Sequence, residues 1–162
     1  GKSMQELLAA SVELNVVDGV ILPNLKMQGT REACAYLDAE GRCSIHPYRP
    51  GICRLFPLGR HYENGGLFYF LQTGECVKEN RSKVKVSKWI DTPELKRNEQ
   101  FKLQWHDLLS AMTDRVAGED EGKQREENLL LLRLFYLLPY EGTTDFYSQF
   151  MERMEYWNEQ IR

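Results

Sequence analysis

Residues 34–76 read CAYLDAEGRCSIHPYRPGICRLFPLGRHYENGGLFYFLQTGEC, and the rest of the chain is read outward from this stretch. It holds all four cysteines of the 162-residue chain, Cys34, Cys43, Cys53 and Cys76; residues 77–162 hold none. Dispersed buried thiols need no such confinement, whereas a shared site does. Turn signals punctuate the stretch. Asp38-Ala39-Glu40-Gly41 predicts a hairpin turn between strand-like pieces at Cys34–Leu37 and Arg42–Ile45. Pro47, Pro50, Gly51, Pro57 and Gly59 then break regular structure, and Asn64-Gly65-Gly66 predicts a second hairpin joining His61–Tyr62 to Leu67–Leu71. Each cysteine therefore lies on or near a hairpin or tight loop, where backbones can converge on a small ion.

The gaps are Cys34-x8-Cys43-x9-Cys53-x22-Cys76. Thiolates are soft ligands suited to zinc and to iron–sulfur clusters, and four of them complete a tetrahedral shell. The paired Cys-x2-Cys knuckles of common zinc modules are missing, so spacing alone points to ligation less sharply. Arg31, Arg42, Arg49, Arg54 and Arg60 add to the signal, because guanidinium groups near the sulfurs would offset the negative charge of a metal tetrathiolate. Three other readings of the thiols stay open at this point. Two disulfides would use all four, but a reducing cytosol disfavours them. Four unconnected buried thiols are a second. A nucleophilic Cys53 beside Arg54 is a third, although no Cys–His–acid set is legible. His46 and His61 fall inside the segment as candidate ligands or supporting groups. His106, between Gln104 and Asp107, is predicted on the wet side of its helix.

Helical patterns flank the segment. Ser3 and Glu6 have the capping-box spacing, predicting a helix from Ser3 to about Val16 with Leu7, Leu8, Val12 and Val16 buried. Gly19 ends it, and Val20 to Met27 reads as extended, interrupted at Pro23. Thr92-Pro93-Glu94 predicts the next helix start, with a capping side chain, a proline and then an acid at the positive dipole end. Phe101, Trp105, Leu108, Leu109, Met112 and Val116 follow as an apolar stripe at helical spacing. After the loop Gly118–Lys123, Glu126–Leu138 is apolar around most of its circumference and is expected to be the central buried helix. Thr144 is the expected cap of a last helix presenting Phe146, Phe150, Met154, Trp157 and Ile161. The fold expectation is α+β: a small loop-rich two-hairpin cysteine segment packed with an N-terminal helix and a C-terminal set of about three helices. A boundary near residue 90 separates a metal-chelating domain, 1–90, from a helical region, 91–162.

Composition narrows the function classes. A content of 42% hydrophobic and 28% charged residues is that of a globular chain, so disorder is set aside. Net charge is −3, which disfavours nucleic acid and anionic membrane as partners of the surface as a whole. Lys78, Arg81, Lys83, Lys85 and Lys88 form a local basic stretch, read as a solvated loop. Apolar runs such as Leu129–Leu132 fall far short of the ~20 residues of a membrane helix. Nothing near Gly1 has the zones of a signal peptide, so cytoplasm is the expected compartment; the missing initiator Met places the expected natural start upstream. No phosphate loop, dinucleotide fingerprint or His-Glu-x-x-His helix is present.

The core of the segment, Cys43-Ser44-Ile45-His46-Pro47-Tyr48-Arg49-Pro50 followed by Gly51-Ile52-Cys53-Arg54-Leu55-Phe56-Pro57, resembles the signature of the YkgJ-type cysteine-cluster proteins. Cys34 with Tyr36 and Leu37 matches their earlier cysteine and apolar pair, and Cys76 matches the later cysteine. The resemblance covers about Ser3 to Lys88 and implies a zinc- or iron-chelating domain. Two departures stand out. His46 occupies a position where the family usually has tyrosine, so no ligand role is inherited there. The further Cys-x2-Cys-Cys group that members carry ahead of the first helix is absent, as in an amino-terminal truncation or a reduced member. The leading expectation is a metal-binding protein using Cys34, Cys43, Cys53 and Cys76, with zinc or an iron–sulfur cluster in a structural or electron-carrying role. Some relatives resemble flagellin lysine methylases, which implies as an alternative an iron–sulfur-dependent protein-modifying enzyme, though no cosubstrate motif supports it. A third reading is a helical adaptor that binds a protein partner through its C-terminal helices.

Overall fold

The computed structural model describes residues 1–30, 32–75 and 82–161. They form an α+β fold in two compact units, Gly1–Arg42 with Leu108–Arg162 and Cys43–Asp107.

The first unit opens with α1, Met4–Ala10. The expected capping box is formed: the Ser3 N–H donates to Glu6 Oε2 at 2.7 Å and the Glu6 N–H to Ser3 Oγ at 3.3 Å. The helix stops at Ala10 rather than running to Val16. From there β1 (Val12–Val17) pairs antiparallel with β2 (Val20–Leu25), in register from Val12↔Leu25 to Val17↔Val20. Asp18 and Gly19 at the turn have φ of 50° and 80°, the backbone that matches hairpin twist. Given that turn, the β-branched valines pair across strands instead of continuing the helical period, and Val16 ends 69% exposed instead of buried. Val116 seals the turn: a Cβ on Gly19 would come within 2.8 Å of its Cγ2.

A short hairpin follows, β3 (Met27–Gln28) with β4 (Ala33–Cys34), in which Met27 faces Cys34. Cys34 thus pairs backward rather than forward across Asp38–Gly41. The predicted turn at Asp38–Gly41 does form. Asp38 N–H donates to Arg42 C=O at 2.9 Å, and Asp38 Oδ1 accepts the Arg42 and Glu40 N–H groups at 2.7 and 3.1 Å. This side-chain-centred loop meets the backbone's hydrogen-bonding demand locally, leaving isolated bridges at Leu37 and Cys43 where strands were expected.

The second unit holds α2 (Gly51–Leu55), β5 (Leu58–Glu63), β6 (Gly66–Leu71), α3 (Val86–Ile90) and the start of α4 (Leu95–Val116). The β5–β6 hairpin is the one predicted, turning at Asn64 and Gly65 with φ of 50° and 70°. Helix α4 begins at Leu95, not at Pro93, because Asp91 and Glu94 adopt left-handed φ of 47° and 48°. The Thr92 hydroxyl donates back to the Ile90 C=O at 3.4 Å and caps nothing. Lys83, Lys85 and Lys88 are exposed, the first two on a loop as expected and Lys88 on α3 instead; Lys78 and Arg81 lie outside the described residues.

Within α4 the chain returns to the first unit, where Leu108, Met112 and Val116 of the predicted stripe are buried. Asp120 caps α5 (Glu121–Leu132), and a π-helical turn, Arg133–Leu137, extends it through a Leu138 N–H to Arg133 C=O bond of 2.9 Å. Asp145, one residue beyond the expected Thr144, caps α6 (Phe146–Gln160). Phe135 joins the two helices, its ring centroid 5.8 Å from Phe150 and 6.2 Å from Trp157. The helix expected to be central is buried on one side only. Leu131, Leu132 and Leu134 are interior while Leu129, Leu137 and Leu138 are exposed. Among the described residues no helix is long and apolar enough to cross a membrane.

Candidate metal centre

Cys34 ends the β3–β4 hairpin, half-buried, with its C=O accepting the Leu37 N–H at 3.1 Å. Cys43 is half-buried at the start of a tight turn, its C=O taking the His46 N–H at 3.2 Å before the 3-10 turn His46–Tyr48. Cys53 is half-buried in α2, where Pro50 sets the helix start and its C=O accepts the Cys53 N–H at 3.0 Å. Each thiol that the structure describes is thus held by a locally bonded backbone at partial depth, shielded but not sealed. Cys76 and Arg31 lie outside the described residues.

Helix α2 has only five residues, too few to persist on its own hydrogen bonds, so neighbouring groups fix it. Arg54 donates from Nη1 to the Asp91 C=O and from Nη2 to the Pro47 C=O, both at 3.2 Å. Trp89 Nε1 donates to the C=O groups of Leu55 and Phe56 at 3.3 and 3.2 Å. Arg54 was expected as a charge partner for the sulfurs; two of its donors instead tie the loops on either side of Cys53. Trp89 and Asp91 were not singled out from sequence. Nothing local marks them, since their role comes from meeting α2 across more than thirty positions. Arg49 has its Nε buried without a hydrogen-bond partner among the described residues, while Arg42 is exposed.

The histidines divide differently. His46 is exposed, and His61 is exposed with Nε2 3.3 Å from Glu63 Oε2. His106, expected on the wet side of its helix, stacks on Tyr62 of the β5–β6 hairpin with centroids 4.0 Å apart and planes at 14°. On the same hairpin Tyr69 donates to Glu99 Oε1 at 3.4 Å. Burial, then the Glu99 charge, pushes the Tyr69 phenol up to about 12. Burial and then Arg60 lower the Lys102 ammonium. These polar contacts join strand to helix and involve no cysteine.

Among the described residues no group of three or more His, Cys, Asp or Glu side chains is close enough to hold a metal ion. The donor chemistry nevertheless fits one, with soft sulfurs on short backbone-anchored loops and cationic side chains in the same segment. The model of the CxxCxxCC family, described as "Putative zinc- or iron-chelating domain", matches residues 3–86, more than half of the chain. The chain belongs to this family. The match runs from the cap of α1 to the first residue of α3 and takes in all four cysteines. No two of them are adjacent, unlike the last pair of a CxxCxxCC pattern. The family's description supports metal binding in general and gives zinc and iron as the candidates. No curated protein and no solved structure matches the chain.

Proposed function

We propose that this CxxCxxCC protein binds one structural metal centre, zinc or an iron–sulfur cluster, through the thiolates of Cys34, Cys43, Cys53 and Cys76. In this reading residues 1–90 form the chelating domain and 91–162 the helical region that accompanies it. One observation carries the reading. Among the described residues of 34–75, Leu55 is the sole buried apolar side chain, at 4% exposure. Burying a leucine contributes about 2 kcal/mol, whereas ordering each residue's backbone costs about 1–2 kcal/mol. Apolar burial therefore falls far below what ordering the segment requires. Structural zinc sites contribute about 10–16 kcal/mol of apparent folding free energy, so ligation would supply a substantial part of what apolar burial lacks. Ligation would also have to gather the sulfurs, and short loops ending in half-buried thiols leave them able to move.

Elemental analysis with a visible absorption spectrum, on protein purified without oxygen, tests the reading. About one zinc per chain in colourless protein supports a structural zinc site. Iron with acid-labile sulfide and a brown chromophore supports the cluster. Protein that carries no metal after reconstitution with zinc, and with iron plus sulfide, overturns the proposal.

A further inference from the structure

Outside the family match, in the first unit, lies a cavity of about 310 Å³ between the end of α5 and α6. Leu130, Leu134, Leu138 and Tyr156 make its apolar walls, and Arg133, Glu152 and Arg153 supply its charges. The π-helical turn forms one side of it. The wider turn, closed by Leu138 N–H on Arg133 C=O at 2.9 Å, leaves carbonyls without their usual helical donors. Arg153 supplies them: Nη1 donates to Leu134 C=O at 2.6 Å and Leu138 C=O at 3.0 Å, and Nη2 to Pro139 C=O at 2.8 Å. Its guanidinium also lies 3.6 Å from the Tyr140 ring centroid. Arg153 is therefore held from several sides, and its positive charge meets dipoles and a ring rather than a carboxylate. Arg133 is exposed at the rim, and among the described residues no carboxylate pairs with it. Glu152 is exposed as well, so the cavity keeps one positive charge in excess over apolar walls.

We infer that this cavity is a binding site for a medium-chain alkyl carboxylate, its chain on Leu130, Leu134, Leu138 and Tyr156 and its head at Arg133. Three features select this ligand class. The excess positive charge calls for an anion, and Arg133 offers the forked donor geometry that a carboxylate accepts. The walls offer only apolar surface and a tyrosine, so the body of the ligand is hydrocarbon. A water molecule's share of liquid is about 30 Å³, so the volume holds roughly ten non-hydrogen atoms. That is the size of octanoate. The site is independent of the cysteines and of the metal reading.

Titration calorimetry of the full chain with octanoate, 1-octanol and octylamine tests the site. The expected result is saturable one-to-one binding of octanoate with Kd below about 1 mM, with the alcohol and the amine at least about fivefold weaker. Arg133→Gln, at an exposed position, should weaken octanoate about fivefold and leave 1-octanol unchanged. Leu138→Gln should weaken both ligands, and circular dichroism melts of both variants check that the fold is kept. Non-saturable octanoate binding, equal affinity for the alcohol, or indifference to both substitutions would each overturn the assignment.

Discussion

Asn128 and Ile21 stand 107 positions apart, and the Asn128 Oδ1 accepts the Ile21 N–H at 2.6 Å. The same amide donates from Nδ2 to the Gly19 C=O at 3.0 Å and to the Gln124 C=O at 2.9 Å. One side chain on α5, 3% exposed, thereby serves backbone groups at the end of the β1–β2 hairpin, which among the described residues is a two-stranded sheet. It ties the hairpin to the helix with hydrogen bonds in addition to the buried Val20.

Replacing that amide should expose its importance. Asn128→Leu keeps the branching and the number of heavy atoms but leaves the Ile21 N–H and the Gly19 C=O facing a dry neighbour, at about 2–4 kcal/mol. Urea unfolding should show the lower midpoint with an unchanged slope. A loss under about 1 kcal/mol would mean that water replaces the amide and the junction is not dry.

Metal removal should act on the cysteine segment and on global stability together. Cys34→Ala, Cys43→Ala, Cys53→Ala and Cys76→Ala are each expected to lower metal content and to reduce Tm by about 10 °C or more. His46→Ala and His61→Ala, at exposed positions, should leave the stoichiometry alone. Metal content unaltered by Cys53→Ala would rule Cys53 out as a ligand.

Gly59 and Phe70 form a cross-strand pair in the β5–β6 hairpin, and a Cβ on the buried Gly59 would overlap the Phe70 ring. Gly59→Ala should therefore cost about 1 kcal/mol by turning that ring outward. The cost should shrink in a Phe70→Ala background, a non-additivity that a double-mutant cycle reads directly. Strictly additive effects would show that the ring does not rest on the glycine.

Two phenols are pushed up to about 12 by burial, Tyr69 and Tyr136, with Glu99 and Tyr140 respectively adding to the effect. Their ordinary value is about 10, so between pH 10 and 12 the unfolded chain has released these protons while the folded chain still holds them. Stability is intact below about pH 10 and falls as pH rises through that window. A phenolate absorbance titration of the folded protein should show a late component that Tyr69→Phe and Tyr136→Phe each reduce. Tyr69→Phe also removes the donor to Glu99.

Much of the architecture was legible because it is local. The Ser3–Glu6 box, the Asn64-Gly65 turn and the stripe Leu108, Met112, Val116 each depend on residues a few positions apart. The misreadings arose where local signals compete. Val12 and Val16 fit a helical face, yet the Asp18-Gly19 turn makes them strand residues. Thr92-Pro93-Glu94 has the composition of a helix start, yet Glu94 takes a left-handed φ and delays it to Leu95. In the candidate site, the turns beside Cys34 and Cys43 were legible from the residues around them, whereas the short helix that carries Cys53 was not. The pairing of Cys34 with Met27 was not, since either neighbouring turn could have claimed the cysteine.

By itself the sequence determined the family, the confinement of four thiols to residues 34–76, and the α+β character, because motif spacing and short-range periodicity carry them. Only the tertiary structure decided that Asn128 serves the turn after β1, that Arg54 and Trp89 brace the Cys53 helix, and that His106 lies on Tyr62. It also decided that Arg153 satisfies the π-helical turn beside an open cavity. Each of these is a bond between groups far apart in the chain. Its partner is chosen by which surfaces meet after the elements have formed, and no local propensity encodes that choice.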